Sequence, residues 1–250
     1  MNNNIILEIK NLKKNYHTKD TEVPAVDDFS YSLSDGEFIA IVGPSGCGKS
    51  TILSILCGLE QKSNGEIWMK DNCKIGYMLQ QDSLFPFRNI LKNCLLGLEI
   101  NKAVNEENKN NVINLLTTYG LKDFIYSYPE QLSGGMRQRV ALIRTLATNP
   151  DILLLDEPFS ALDYQTRLAV SDDVYKIIKR EKKSAIMVTH DLAEAISMAD
   201  KVIVLSERPS TIKKIFDINL TNKSTPIENR KAKEFSEYYE KIWKEIDFHV

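Results

Sequence analysis

One stretch, residues 43–51, constrains this chain more than any other. It has the spacing G-x-x-x-x-G-K-[ST], in which glycines leave backbone N–H groups free to surround a phosphate. An apolar run at residues 37–42 precedes it and residues 52–57 continue with helical character, so the loop joins a strand to a helix whose positive end faces the phosphates. The predicted phosphate-binding loop consists of Gly43, Pro44, Ser45, Gly46, Cys47, Gly48, Lys49, Ser50 and Thr51.

Two side chains of this loop have defined chemistry. Lys49 would reach the β- and γ-phosphates, and the hydroxyl of Ser50 would bind Mg²⁺, an ion that retains water and substrate oxygens as ligands. The alternative is a glycine-rich turn that ends in Lys-Ser by chance. The flanking strand and helix argue against that alternative.

Composition and charge narrow the possible classes of protein. The 250 residues include 32 basic and 34 acidic side chains, and a net charge of −2 gives no electrostatic case for binding nucleic acid. No apolar run approaches the roughly 18 residues of a membrane span, and residues 1–4 show no signal region. The four cysteines have neither disulfide density nor metal-binding spacing. We therefore expect the chain to remain in the cytosol.

Two carboxylates follow an uninterrupted apolar run at residues 152–155, which is typical of a central parallel strand covered on both faces. Asp156 is placed to hold Mg²⁺ or its water shell. Glu157 would lie beyond the γ-phosphate, where a carboxylate orients and deprotonates an attacking water. The alternative for such a pair is a cap at the end of a strand.

Further polar residues follow other predicted strands. His190 comes after the strand at residues 184–189 and would lie at the same sheet edge, where a neutral imidazole could bond to the γ-phosphate. Gln80 follows a strand at residues 74–79, which we expect to pair with residues 65–69. Its amide could reach Mg²⁺ or an attacking water. Each of the two could instead be a structural or solvated residue.

The N-terminal part predicts a small sheet, because residues 5–12 and 28–33 alternate apolar and polar side chains. The polar stretch between them carries Tyr16, which could stack on adenine or could simply pack at the surface. Helical spacing dominates residues 89–149. Within them Ser133, Gly134 and Gly135 open a helix and leave backbone N–H groups uncovered, which predicts a second anion site.

The chain contains, in this order, the loop, Gln80, residues 132–138, the Asp156–Glu157 pair, residues 160–163 and His190. Together these features resemble the nucleotide-binding subunit of an ATP-binding-cassette (ABC) transporter, over residues 5–206. The resemblance implies that two copies pair head to tail as a homodimer, with each ATP between the loop of one copy and the Ser133 helix start of the other. It also implies family roles for Gln80 as the Q-loop glutamine, Glu157 as the catalytic base, Asp163 as the D-loop aspartate, His190 as the switch histidine and Tyr16 as the adenine-stacking aromatic.

The same resemblance implies an α/β fold, with a P-loop NTPase (RecA-like) core, an N-terminal antiparallel β subdomain and an inserted α-helical subdomain. It places one ABC ATPase domain over residues 1–250. Core and β subdomain would take residues 1–81 and 150–220, the helical subdomain 82–149, and a C-terminal helical extension 221–250.

Within the family, residues 132–139, 156–163 and 205–210 resemble the nitrate/sulfonate/taurine import group. That implies an ATPase that energises solute import through integral-membrane permease subunits, held at the cytoplasmic face of the membrane. An extracytoplasmic solute-binding protein would act through the permease, with Phe85 and Phe87 as candidate permease contacts.

Two alternatives stay open from the sequence. A P-loop kinase acting on a small acceptor would explain the loop, but gives no role to Ser133 or to a hydrolytic Glu157. A non-transport ABC ATPase acting on DNA or ribosomes would usually carry two cassettes or a long coiled coil, and the chain shows neither a second loop nor heptads.

Overall fold

The structure is a computed structural model that describes residues 4–17 and 21–246. Its strands are β1 (Ile5–His17), β2 (Glu22–Ser34), β3 (Phe38–Val42), β4 (Asn64–Met69), β5 (Ile75–Met78), β6 (Ile152–Asp156), β7 (Ser184–Val188), β8 (Lys201–Leu205) and β9 (Ile212–Asp217). Its helices are α1 (Lys49–Leu56), α2 (Ile90–Ile100), α3 (Glu106–Thr118), α4 (Gly134–Leu146), α5 (Tyr164–Arg180), α6 (Leu192–Met198), α7 (Pro226–Asn229) and α8 (Lys233–Ile246). Within these described ranges, no helix is both long and apolar enough to span a membrane.

A six-stranded sheet, in the order β5-β6-β7-β3-β8-β9, forms the centre of the molecule. All of its neighbouring pairs are parallel except β8 and β9. Every residue of β3, β6 and β7 is buried, which agrees with their apolar runs and with cover on both faces. Because these strands are parallel neighbours, the loops after them meet at one edge of the sheet.

A three-stranded antiparallel sheet, in the order β2-β1-β4, packs near α1 through one of the apolar clusters. The predicted N-terminal sheet is therefore confirmed, but its strands are longer than the apolar alternation indicated. β1 and β2 continue into the polar stretch at residues 13–22, where Tyr16 pairs with Val23. Backbone pairing, not side-chain alternation, extends these strands.

The predicted pairing of residues 65–69 with residues 74–79 is wrong. β4 pairs with β1, and β5 pairs with β6 in the other sheet. The turn between them is present, with Asn72 at φ 59°, but it connects strands of different sheets. Gly65 shows how closely β4 approaches β1, since a Cβ there would lie 2.4 Å from the carbonyl oxygen of Asn11.

Helices α2, α3 and α4 enclose an apolar cluster of their own, which includes Ile90, Leu116 and Val140. The opposite side of α4 contributes Ala141 and Leu142 to the cluster beneath the six-stranded sheet. The helix that opens at Ser133 thus packs on both parts of the molecule. The division of the chain at residues 82 and 149 stays a prediction.

The C-terminal part contains a short helix that the charge pattern did not predict. Residues 222–228 are charged and polar, yet α7 forms there with Pro226 in its first turn. Asn229 is buried and donates from Nδ2 to the carbonyl oxygen of Ser197, 2.7 Å away. The predicted amphipathic helix is present as α8, which buries Ile242; residues 247–250 of the predicted extension lie outside the described residues.

Candidate functional site

The phosphate-binding loop connects β3 to α1, as predicted. Gly48 precedes the first residue of α1 at φ 109°, a backbone conformation that side chains disfavour. A Cβ at this position would lie 3.0 Å from the carbonyl oxygen of Ala25 and 3.2 Å from Cγ2 of Val26. Both the conformation and the close approach of β2 therefore require glycine here.

A cavity of about 560 Å³ opens beside this loop. It is lined by Ser45, Gly46, Gly48, Lys49, Ser50, Thr51, Glu157, His190 and Arg208. Lys49 folds back over the loop, where Nζ donates to the carbonyl oxygens of Gly43, at 2.9 Å, and Pro44, at 2.7 Å. The cavity therefore joins a cationic, amide-rich loop to a carboxylate and an imidazole.

Three of the predicted loop residues, Gly43, Pro44 and Cys47, do not line the cavity. Cys47 is buried in the cluster beneath the loop, and burial raises the pKa of its thiol. Its backbone N–H donates to the carbonyl oxygen of Pro44 at 3.3 Å. A contact of Cys47 with nucleotide stays a prediction, and it concerns the backbone because the side chain packs inward.

Asp156 lies at the end of β6 with both carboxylate oxygens bonded. Oδ1 accepts from the hydroxyl of Ser50 at 2.9 Å, and Oδ2 accepts from the hydroxyl of Tyr77 at 2.9 Å. A hydroxyl and a carboxylate side by side match the hard oxygen ligands that Mg²⁺ takes, with water and phosphate oxygens supplying the rest. Among the described residues, no three His, Cys, Asp or Glu side chains cluster as an all-protein metal site.

Two other residues predicted at strand ends, Gln80 and His190, contact the same carboxylate oxygen of Glu157. Its Oε2 accepts from Nε2 of Gln80 at 3.2 Å and lies 3.2 Å from Nδ1 of His190. Its backbone has φ 43°, and its N–H donates to the carbonyl oxygen of Val188 on β7 at 2.8 Å. The structure thus brings Glu157, Gln80 and His190 together at the edge where the parallel strands end.

The segment after Gln80 is attached to α4. Asp82 accepts from Nε of Arg137 at 3.0 Å, and Arg144 donates to the carbonyl oxygens of Asp82, at 2.7 Å, and Ser83, at 2.8 Å. Arg137 and Arg144 both belong to α4. Gln80, which contacts Glu157, is therefore followed directly by a segment that is bonded to the helix beginning after Ser133.

Ser133 caps α4, as predicted, because its hydroxyl accepts from the backbone N–H of Met136 at 3.3 Å. Gly135 faces α5, where a Cβ would lie 2.8 Å from Cγ2 of Val170. Neither Ser133 nor the two glycines line the cavity of their own chain. The second predicted anion site is thus separate from the first within one chain.

Asp163 and Tyr16 also lie outside the lining of this cavity. Asp163 caps α5 by accepting from the backbone N–H of Thr166 at 3.0 Å, and the hydrogen bonds of Thr166 lower its pKa. The hydroxyl of Tyr16 lies 3.4 Å from Oγ1 of Thr51, and Nζ of Lys14 lies 4.7 Å from its ring centroid. Adenine stacking on Tyr16 stays a prediction.

Two site residues escaped the sequence analysis, Tyr77 and Arg208. Tyr77 pairs with Leu154 in the parallel register of β5 and β6, two positions before Asp156. Arg208 follows β8, which is the neighbour of β3 in the sheet. The sequence carried a signal for each, because each has a polar side chain in or after a strand. That signal does not place them at the site, because the tertiary structure determines which strands are neighbours.

Four residues after His190, Glu194 is 3% exposed and accepts from the hydroxyl of Thr189 at 2.7 Å. Burial and the charge of Asp191 raise its pKa to about 7, against the lowering effects of Thr189, Arg167 and Arg230. The stability that depends on a protonated Glu194 is complete below its ordinary pKa and is lost as pH rises through about 7.

As pH rises from 5 to 8, we therefore expect the free energy of unfolding of the wild type to fall by about 2 to 3 kcal/mol relative to that of Glu194→Gln. Glutamine keeps an acceptor for Thr189 but does not ionise. Urea unfolding at a series of pH values measures the difference, with Glu240→Gln, an exposed residue of α8, as the matched control. Parallel pH profiles for wild type and Glu194→Gln would contradict the prediction.

A family model described as ABC transporter matches residues 26–160, which include the loop, Ser133 and Glu157. The chain belongs to the ABC transporter family. It is an ABC ATPase, and the predicted enzyme class and ATP binding are confirmed at that level.

Three relatives of this ABC ATPase are named as ATP-binding proteins. It is 44% identical to the "Uncharacterized ABC transporter ATP-binding protein YtlC" of Bacillus subtilis, over 96% of this chain and 95% of that protein. It is 39% identical to the "Fe(3+) ions import ATP-binding protein FbpC 2" of Haemophilus influenzae, over 83% of this chain and 61% of that protein. It is 37% identical to the "Nitrate import ATP-binding protein NrtD" of Synechocystis, over 94% and 93%. The two importers differ in solute, so the predicted import group is not established.

A solved ABC structure is similar over most of the chain. It is a dimeric ATP-binding cassette in a post-hydrolysis state, bound to ADP and Pi. The TM-score is 0.72 at 30% identity, over 86% of this chain and 99% of that one. The predicted fold class, a P-loop ABC ATPase fold with an antiparallel β sheet, is confirmed.

Proposed function

We propose that this ABC ATPase energises the import of a nitrate-, sulfonate- or taurine-like solute through a partner permease. The observation that carries its catalytic part is the cavity in which the phosphate-binding loop faces Glu157 and His190. The import direction rests on the similarity to NrtD over 94% of this chain, together with the resemblance of residues 132–139, 156–163 and 205–210 to that import group.

In this proposal the loop amides and Lys49 bind the phosphates, and Lys49 exchanges the carbonyl oxygens of Gly43 and Pro44 for phosphate oxygens. Ser50, Asp156 and the amide oxygen of Gln80 would hold Mg²⁺. Bound there, Mg²⁺ neutralises charge on the phosphates.

Glu157 orients the attacking water and takes its proton. The contacts of Gln80 and His190 with Oε2 hold this carboxylate in place before nucleotide arrives. The side chain of His190 is 59% exposed, so it has room to turn toward the γ-phosphate. Tyr16, whose hydroxyl lies 3.4 Å from Oγ1 of Thr51, stacks on the adenine.

A second copy completes the site. Because Ser133, Gly134 and Gly135 lie outside the cavity of their own chain, a partner in head-to-tail orientation supplies them. The helix start then binds the γ-phosphate, with Asp163 close to the interface. ATP joins the two copies and ADP releases them, because only ATP carries the charge that the second helix start binds.

The permease would contact the helical part of the chain near residues 80–88. Phe87 is 75% exposed and its ring centroid lies 5.4 Å from that of Phe85. We propose residues 82–149 as the subdomain that receives the permease, beside a core and β subdomain at 1–81 and 150–220, and an extension from 221. The subunit would be held at the cytoplasmic face, with a solute-binding protein acting through the permease.

Phosphate release tests the catalytic part of the proposal. Purified protein with Mg²⁺ and ATP should release phosphate steadily with no acceptor added. A small-molecule kinase would instead need an acceptor and would transfer phosphate to it. Product formation that depends on an acceptor would overturn the proposal.

Fractionation of native cells tests the transport part. We expect the protein to be recovered with membranes when its permease is present and to be lost from them when the permease is deleted. Phe87→Ala should weaken this recovery without changing phosphate release. Recovery with ribosomes would favour a non-transport ABC ATPase.

A further inference from the structure

The turn between β8 and β9 brings one more cation to the nucleotide cavity. Arg208 lines this cavity together with Lys49, Glu157 and His190. It lies close enough to the loop to act on Cys47: burial raises the pKa of that thiol, and the charges of Lys49 and Arg208 both oppose the rise. One basic side chain of the loop, Lys49, and one from the turn after β8, Arg208, therefore line the same cavity.

The turn that carries Arg208 is held at both ends. Ser206 and Thr211 close it, with the backbone N–H of Ser206 donating to Thr211 O at 3.0 Å and that of Thr211 donating to the Ser206 hydroxyl at 2.9 Å. Ser210 is buried; its N–H donates to Ala25 O at 3.1 Å and its carbonyl oxygen accepts from Asp27 N at 2.8 Å.

The segment of β2 that bonds to Ser210 also approaches the phosphate-binding loop. The carbonyl oxygen of Ala25 that accepts from Ser210 lies 3.0 Å from the position of a Cβ on Gly48. In the sheet, β8 also pairs directly with β3, with Val204 opposite Val42. The position of the turn relative to the loop is thus fixed on two sides, so little backbone ordering remains for ligand binding.

Within residues 4–17 and 21–246, Arg208 has neither an ion pair nor a hydrogen bond. Lys49 in the same cavity bonds to loop carbonyls, and Glu157 is engaged by Gln80 and His190. A guanidinium offers two parallel N–H donors whose geometry matches phosphate oxygens.

From this geometry we infer that Arg208 is a second cationic ligand of the ATP phosphates, supplied from outside the phosphate-binding loop. The inference rests on the proposed nucleotide site and adds a binding residue to it. Arg208 hydrogen-bonds a phosphate oxygen directly, so its effect depends on its donors as well as its charge.

The test is the affinity of purified protein for MgATP, measured by calorimetry for wild type and Arg208→Gln at low and high salt. We expect Arg208→Gln to bind MgATP about tenfold or more weakly than wild type, because it loses a hydrogen bond to a charged group. Most of that difference in affinity should remain at high salt. Arg208→Lys should be several-fold weaker than wild type, because lysine lacks the planar fork. Lys122→Gln, at an exposed residue outside the cavity, removes the same charge and should bind as wild type does.

The outcomes separate this inference from the proposed function. Lys49→Ala should abolish ATP binding if the cavity is the nucleotide site. If it does so while Arg208→Gln and Arg208→Lys bind within about twofold of wild type, the inference is wrong and the site stands. If Lys49→Ala has no effect, the proposed site itself fails. A loss in Arg208→Gln that vanishes at high salt, or that Lys122→Gln reproduces, shows long-range attraction and overturns direct contact.

Discussion

Glu157→Gln is expected to slow ATP hydrolysis by about 10²- to 10⁴-fold while ATP still binds. Glutamine has nearly the same shape and keeps an oxygen for the contacts with Gln80 and His190, but it does not take a proton from water. Because the γ-phosphate then persists, the variant should accumulate as an ATP-bound dimer.

Phosphate release and gel filtration with and without MgATP measure the two effects. Glu130→Gln is the matched control, because Glu130 is exposed and does not line the cavity. Hydrolysis at the wild-type rate in Glu157→Gln would remove Glu157 from the role of base. A monomer peak that MgATP leaves unchanged would contradict the proposed joining of two copies.

Ser133→Glu is expected to abolish the ATP-dependent dimer and to lower hydrolysis by about 10²-fold or more, without weakening ATP binding to the single chain. A carboxylate at this helix start repels the γ-phosphate that the partner presents, and such like-charge contacts cost several kcal/mol. The affinity of the monomer should not change, because Ser133 does not line the cavity of its own chain.

Calorimetry at low protein concentration, together with sedimentation at high concentration, separates binding from association. Ser236→Glu on α8 introduces the same charge at an exposed residue and should behave as wild type does. Weakened ATP binding by a monomeric Ser133→Glu variant would place this residue in the site of its own chain. Full hydrolysis by a strict monomer at every dilution would refute the two-copy site.

Local sequence was enough to predict the parts of the site whose chemistry depends on residues adjacent in the chain. The order strand, glycine-rich loop, helix predicts the phosphate-binding loop, because Gly48 must adopt a positive φ and Lys49 must follow it directly. The burial of residues 152–155 in β6 follows from their apolar run, which is typical of a parallel strand covered on both faces. The position of Asp156 and Glu157 at the sheet edge follows from the same run.

What the tertiary structure decided is which separate segments become neighbours. Strand pairing depends on backbone hydrogen bonds between distant segments, so neither the pairing of β4 with β1 nor the contact of Tyr77 with Asp156 was visible in local pattern. The same holds for Arg208, which reaches the cavity because β8 lies beside β3. Short motifs thus predict the loop, Asp156, Glu157 and His190, whereas Tyr77 and Arg208 join the site only through strand pairing, because contacts between distant segments are determined by the folded chain.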